Sequence, residues 1–386
     1  MNHLRTSERN LFKRCQWAWE RNYQDNLKTG REESVALWFG TGIHLALEKW
    51  YVPGTVRGVD PRETWKKYVD DSRGDTEYVN TVHDGDFSEA VSARELGIDM
   101  LTQYLDHYGL EPHLEVLSVE QTFQIPIKHQ EWFSTQCDSS SGPVASYHRG
   151  PSETTYVGTF DIVIRDHNQG GKVLMWDHKT TKALGSQNTQ YLPLDDQAGT
   201  YWSLATYTLR KQGVIGQDEV LAGMLYNYLA KSKADTRPKN EQGYATNKPI
   251  KKHYVSALSA IGIEEHEGKP LDKATLAKLE LLADEHKVTV YGEVSASQPK
   301  KNLDRVQVYR HRSQQRSQVE RIQNDLEAMS LVKNGLLKAT KTPTRECGFC
   351  EFRELCELDE SGKDWTEMAE MMYTKWDPYS AHREKN

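Results

Sequence analysis

The sequence predicts a mixed α/β protein: a central β-sheet flanked by helices, with further helical segments at both ends. Two observations carry that prediction. Apolar, β-branched runs gather in the middle of the chain, at residues 114–127, 158–166, 173–181 and 220–230, and the first of them alternates apolar with polar positions as a strand does. On either side, apolar residues recur at three- and four-residue intervals, the spacing of one helix face.

Taken in order, the first hundred residues are mainly helical in pattern. A cysteine-bearing helix begins near Ser7, which suits its cap. A second helix covers residues 37–52, with His44 four residues after Gly40 and Glu48 four after His44. A neutral imidazole is a good metal ligand and glycine permits close backbone approach, although a lone helical histidine also reads as a hydrogen-bonded packing residue. An amphipathic stretch runs from Ser88 to His107. On the strand that follows, Glu120 is either an additional site carboxylate or an exposed strand glutamate. Residues 134–155 are rich in Ser, Gly and Pro and read as a mobile loop, with Cys137 an unliganded loop cysteine.

Residues 158–166 and 173–181 read as one hairpin, because the HNQGGK between them has the glycine pair that a tight turn demands. Side chains two apart on a strand share a face, so Asp177 and Lys179 point the same way. Folding about Gln169 brings Asp161 opposite them, to within about one residue of register. Two carboxylates and an ammonium therefore converge on one patch. Hard divalent cations such as Mg²⁺ take oxygen ligands and are commonly held by one or two carboxylates plus substrate phosphates, so the patch suits phosphodiester chemistry. A solvated acid–lysine surface on an ordinary hairpin fits the same residues. In the next helical pattern Gln197 and Tyr201 sit one turn apart on one face.

The order of these features resembles the RecB-like branch of the PD-(D/E)XK nuclease superfamily: Gly40 to His44, Gly158 to Asp161, Asp177-His-Lys179, then Gln197 to Tyr201. The resemblance covers Leu4 to about Leu358. It implies a restriction-endonuclease-like fold and a metal-dependent DNA nuclease. Asp161, Asp177 and His44 would hold Mg²⁺ or Mn²⁺ with the His178 backbone carbonyl, Lys179 would act on the nucleophile, and Gln197 and Tyr201 would orient Lys179 or the phosphate. Exonuclease action on DNA ends or single strands in recombination, repair or DNA processing is implied by family analogy, as is a helicase or recombination partner that supplies ATP-driven unwinding, for which this chain has no P-loop.

Of the five cysteines, Cys347, Cys350 and Cys356 cluster tightly and Cys15 stands alone near the start. Three clustered thiols are one short of a four-ligand site, and an odd total argues against a disulfide framework. Soft sulfur ligands fit a structural zinc site as well as an iron–sulfur cluster. In the same branch, which includes CRISPR-associated exonucleases and the AddB subunit, one early cysteine joins three late ones on a 4Fe–4S cluster. The resemblance therefore implies a 4Fe–4S staple on Cys15, Cys347, Cys350 and Cys356.

The motifs span the chain, so one nuclease domain over 1–358 is expected. Within it lie a helical part (1–112), a catalytic sheet core (113–230), a basic insertion (231–316), and a C-terminal helix with the cysteines (317–358), followed by a tail, 359–386, with no assigned chemistry. Charged residues make up 27% of the chain and no apolar run approaches the ~18 residues of a membrane span. With a polar start that is no secretory signal, this predicts a cytoplasmic setting. The net charge of −7 does not favour DNA by itself. Two segments supply local cations: Lys231, Lys233, Arg237, Lys239, Lys248, Lys251 and Lys252 among tyrosines, and Lys300, Lys301, Arg305, Arg310, Arg312 and Arg316. Both suit a nucleic-acid groove, and the first equally a solvated loop.

Overall fold

A computed structural model describes residues 3–30, 34–81, 88–139 and 142–380. The chain opens with β1 (His3–Leu4), α1 (Thr6–Arg14), α2 (Gln16–Trp19) and β2 (Leu27–Thr29). Next come α3 (Val35–Trp50), α4 (Pro61–Asp71), the ribbon β3 (Glu77–Thr81) and β4 (Ser88–Ser92), and α5 (Ala93–Tyr108). The sheet strands β5 (Leu114–Ser139), β6 (Gly142–Asp166) and β7 (Lys172–Thr181) lead to α6 (Asp196–Lys211) and β8 (Leu221–Ala230). An insertion with α7 (Lys251–Ala260), β9 (Glu265–His266), β10 (Lys269–Pro270) and α8 (Leu276–Glu285) precedes β11 (Leu303–Tyr309). The chain continues through α9 (Arg312–Lys333), α10 (Arg353–Glu360), α11 (Thr366–Met372) and β12 (Tyr373–Lys375).

The central sheet is mixed and six-stranded. β6 pairs antiparallel with β5 and β7, β7 pairs parallel with β8, and β8 pairs antiparallel with β11. β1 adds a short parallel rung to β6 at Thr155 and Tyr156. The period-two alternation of β7 divides the interior into two layers. Val173 and Met175 face α6 and α9, while Leu174 and Trp176 face the helices α3, α4 and α5. This is the mixed α/β sheet flanked by helices that the sequence predicts, and it is consistent with a restriction-endonuclease-like fold. Among the described residues no helix is long and apolar enough to cross a membrane.

Helix starts follow side-chain caps. Ser34 Oγ accepts from Leu37 N, and Ser92 Oγ accepts from Glu95 N. The latter cap shortens the helix expected from Ser88, because residues 88–92 pair with β3 instead. At the N-terminus the capping position is Arg5 rather than Ser7, and its side chain makes no cap hydrogen bond. The helix then breaks at Cys15, whose backbone is extended.

The segment 134–155, expected as a mobile loop, instead lies in the paired strands β5 and β6 throughout its described part. The reason is long-range support. Trp132 N donates to Ser330 Oγ at 3.0 Å, and both Trp132 Nε1 and Arg149 Nε donate to Glu327 on α9. The Cys137 side chain lies outside the described residues. The described part of the tail also joins the fold: β12 pairs with β2, and Trp376 Nε1 donates to Asn22 O at 3.3 Å.

Candidate active site and cysteine pocket

The β6–β7 ladder runs from Asp166↔Lys172 to Ile162↔Trp176, so the next rung places Asp161 across from Asp177. The hairpin register expected from the turn is the one observed. Asp161 Oδ2 accepts the His178 backbone N–H at 3.2 Å, and Lys179 Nζ donates to Asp177 Oδ1 at 3.1 Å. His44 reaches the same place from α3, its Nδ1 lying 3.4 Å from Asp161 Oδ2. Gly40 permits that approach, since a Cβ there would stand 3.2 Å from Thr180 Oγ1 on β7.

The sheet is interrupted at this point. On one edge of β6 the ladder passes from Val119↔Ile162 to Gln121↔Phe160 and omits Glu120, an exposed residue with φ +48°. On the other edge, β1 pairs as far as Tyr156 and the pairing with β7 starts only at Ile162, so, among the described residues, 157–161 have no backbone ladder partner there. Asp161 therefore lies at a break in backbone pairing, with Glu120 across from it on β5.

Burial, reinforced by the negative charge of Asp177, pushes the Asp161 carboxyl up to about 6, against the opposing pull of His44, the His178 N–H and Lys179. Burial alone would lower Lys179. Its contact with Asp177, with Asp161 and Asp195 behind, outweighs that and holds the ammonium above its ordinary range. Lys179 Nζ also lies 2.9 Å from the buried Asp177 Oδ2, so the ammonium straddles both carboxylate oxygens. Two facing, largely buried carboxylates, one of them paired with an ammonium, fit a hard divalent ion. As they stand, no three His, Cys, Asp or Glu side chains among the described residues form a closed ligand set.

The His178 side chain points into the α3 layer, against Tyr51 and Trp176, so that its main chain alone borders the carboxylates. Desolvation lowers the imidazole well below its usual range, with His44 and Arg305 adding to it. Its Nδ1 lies 2.8 Å from Asn227 Nδ2, and Asn227 Oδ1 accepts from Arg305 Nε at 3.2 Å. Arg305 also pairs with the buried Glu111 and donates to Tyr104 OH at 2.8 Å. Asn227, Arg305, Glu111 and Tyr104 were not singled out for this role from sequence. The available signal was one asparagine inside the apolar run 220–230, which the parallel ladder sets beside His178.

On α6, the Asp195 side chain accepts from Gln197 N and so starts the helix that carries Gln197 and Tyr201. Tyr201 packs edge-on to Phe123 and Phe160. Burial, with Tyr156 and Asp161 adding to it and a hydrogen bond from Gln197 opposing, raises its phenol to about 12, so it is a hydrogen-bonding group and not a base at neutral pH.

The cysteines lie apart from these residues, around a separate cavity. Cys15, Cys347, Cys350 and Cys356 line one cavity of about 720 Å³. Thr344 N donates to Cys347 Sγ at 3.3 Å, and burial raises the Cys350 and Cys356 thiols. Arg14, Lys341 and Arg353 also border the cavity, each paired with a carboxylate: Glu346, Asp359 with Glu360, and Glu357 respectively. Four cysteines bordering one cavity offer ligands of the soft type that a zinc or iron–sulfur centre takes.

Several cations assigned to a nucleic-acid groove are engaged internally. Lys231 is buried and donates to Ala36 O at 2.9 Å, and Arg237 is bound to Asp235 and donates to Ser297 O at 2.9 Å. Arg305 is paired with Glu111 and packed 3.5 Å from the Tyr108 ring centre, and Arg310 is buried on the carbonyls of Leu192 and Asp195. Each lies where a carboxylate or carbonyl from another element reaches it, which a local count of lysine and arginine does not reveal. Lys239, Lys248, Lys300, Arg312 and Arg316 are exposed.

No curated protein matches this chain. A family model described as the PD-(D/E)XK nuclease superfamily matches residues 4–357. The sheet, the acidic hairpin with its lysine and the extent of that match agree: the chain belongs to the PD-(D/E)XK nuclease superfamily.

Proposed function

We propose that this protein is a Mg²⁺- or Mn²⁺-dependent deoxyribonuclease that hydrolyses phosphodiester bonds at DNA ends or in single strands. The observation that carries the proposal is the meeting of Asp161, Asp177 and Lys179 on adjacent strands, with Asp177 Oδ2 buried and met by the Lys179 ammonium 2.9 Å away. Asp161, Asp177, His44 and the His178 carbonyl would hold the ion. When bound, it supplies Lewis-acid polarisation of the phosphate and a lowered pKa for water.

The chain's own groups do the rest. Lys179, kept protonated by Asp177, stabilises the charge that develops on the phosphate and positions the attacking water. Gln197 and Tyr201 orient the phosphate from α6, and the His178 N–H holds Asp161 in place. Action on ends, within recombination, repair or DNA processing and alongside a helicase partner, follows from resemblance to the RecB-like branch. So does a 4Fe–4S cluster on Cys15, Cys347, Cys350 and Cys356, which would staple both ends of a single domain over 1–358. Lys239, Lys248, Lys300, Arg312 and Arg316 are the exposed cations that remain for backbone contact.

Labelled single-stranded and duplex DNA, incubated with purified protein and Mg²⁺ or Mn²⁺, tests this reading. Metal-dependent cleavage that disappears in Asp177→Ala supports it. Binding without cleavage would instead indicate a non-cleaving DNA-binding or assembly subunit on a nuclease scaffold.

A further inference from the structure

The edge of β6 left open between β1 and β7 continues outward as a cavity of about 340 Å³. Arg5, Ser7 and Asn10 bound it from the start of the chain, Gly158 from β6, and Gln197 and Tyr201 from α6. Gly158, three residues before Asp161 on β6, and Tyr201, packed edge-on to Phe160, join it to the active site. Gly158 keeps the wall tight, as a Cβ there would stand 2.6 Å from the Phe123 ring and 3.2 Å from Tyr201.

Arg5 is the cation of this cavity, and its surroundings fix it without neutralising it. Its Nε and Nη2 donate to Tyr23 OH at 3.4 and 3.3 Å. Its guanidinium carbon lies 5.7 Å from the ring centres of Tyr23 and Trp376 and 5.5 Å from that of Tyr379. Among the described residues it has no carboxylate partner. Glu8 feels its charge, yet burial holds that carboxyl toward its neutral form, and it is already bonded to Trp19 Nε1 and Tyr379 OH. The cations of α1 differ: Arg9 and Lys13 both pair with Asp196, Arg9 with Asp325 as well, and Arg14 with Glu346.

Three aromatic rings orient the guanidinium, and with Nε and Nη2 directed at Tyr23 OH its Nη1 donors stay available to an anion. A held, uncompensated arginine bordering a polar cavity beside phosphodiester-cleaving groups matches a phosphate oxyanion. We propose that this cavity anchors a non-scissile phosphate of the DNA strand, so that the neighbouring phosphodiester lies at Asp161, Asp177 and Lys179. The inference rests on the nuclease reading. It also gives the tail a role, since Trp376 and Tyr379 build two sides of the arginine's cage.

The test is anisotropy binding of fluorescein-labelled oligonucleotide in EDTA, at stepped salt, to the full chain. Arg5→Ala should weaken binding roughly tenfold and lower the slope of log K against log salt by about one. Asn10→Asp, which sets a carboxylate on the exposed rim without touching the cage, should weaken it comparably and covers the case in which Arg5→Ala fails to fold. A methylphosphonate stepped along the oligonucleotide should weaken wild-type binding at one position flanking the cleaved bond, and this position-specific loss should vanish in the Arg5 variant, or be diminished in Asn10→Asp. Wild-type affinity and slope in the variants, or no such position, would overturn the anchor while leaving cleavage by the wild type as support for the nuclease reading. A wild type that neither binds nor cleaves DNA with Mg²⁺ or Mn²⁺ overturns both.

Discussion

Asn227 Nδ2 stands 2.8 Å from His178 Nδ1, and that contact fixes the protonation pattern behind the active site. Arg305 is donor-only, so the asparagine must present its oxygen to Arg305 and its amide N–H to the imidazole. His178 is thereby an Nε2–H tautomer, buried and neutral, one residue from each of Asp177 and Lys179. Replacing Asn227 with Ala leaves Arg305 Nε and His178 Nδ1 without their partner. The expected loss is about 1–3 kcal/mol in urea unfolding, with reduced cleavage. Unchanged stability would show that the network does not hold the strand.

Lys179 and Asp177 share one face of β7, and each should fail differently. Lys179→Ala removes a fixed positive charge from the developing transition state and should lower kcat by roughly 10²–10³-fold, with metal affinity largely kept. Asp177→Ala should abolish cleavage and weaken Mn²⁺ binding together. Titration calorimetry with Mn²⁺, set beside the cleavage rates, separates the two roles. Wild-type cleavage in either variant would falsify the site assignment.

The register of these residues was legible because it is local: a short glycine-containing turn and period-two alternation suffice to set Asp161 across from Asp177. His44 was legible only through motif order, since its arrival depends on α3 packing against β7 at Gly40. Residues 134–155 were misread for a similar reason, as their pairing is supported by Glu327 and Ser330 on α9. Arg305 was misassigned because Glu111, its partner, sits on a distant segment. Nothing in the tail's scattered aromatics indicated that Trp376 and Tyr379 would close around Arg5.

Asp161 gives a pH dependence of definite sign. Its folded value of about 6 lies above the ordinary ~3.9, so between those values the folded state binds more protons than the unfolded one. Its contribution to stability therefore falls as pH rises from about 4 to about 6 and stays unfavourable above. Metal-free Asp161→Asn should melt higher than metal-free wild type at pH 7.5, by about 1–3 °C, and show no such gain near pH 4. Added Mg²⁺ should stabilise the wild type alone. Melting curves with and without EDTA check all three statements, and a variant less stable than wild type at pH 7.5 without metal contradicts the assigned shift.

Proton competition at the same carboxyl should also weaken Mg²⁺ binding below about pH 6, approaching tenfold per pH unit. Calorimetry from pH 5 to 7.5 measures this. An affinity that does not change with pH would place the ion away from Asp161.

Cys15 and Cys350 approach the common cavity from opposite ends of the sequence, where Trp17, Phe352, Leu355 and Tyr373 already form a small core between the termini. A metal centre there acts on a contact that apolar packing has begun, so its loss should lower stability without unfolding the catalytic sheet. Anaerobically purified wild type should carry iron and sulfide with visible absorbance. Cys15→Ser and Cys350→Ser should each bleach it and lower the melting temperature, because a site absent from the unfolded chain contributes its binding energy to folding. Fluorescence of the buried tryptophans Trp65 and Trp176 should report a later, separate transition for the sheet. Zinc in place of iron in the anaerobic protein would keep the staple and remove the cluster.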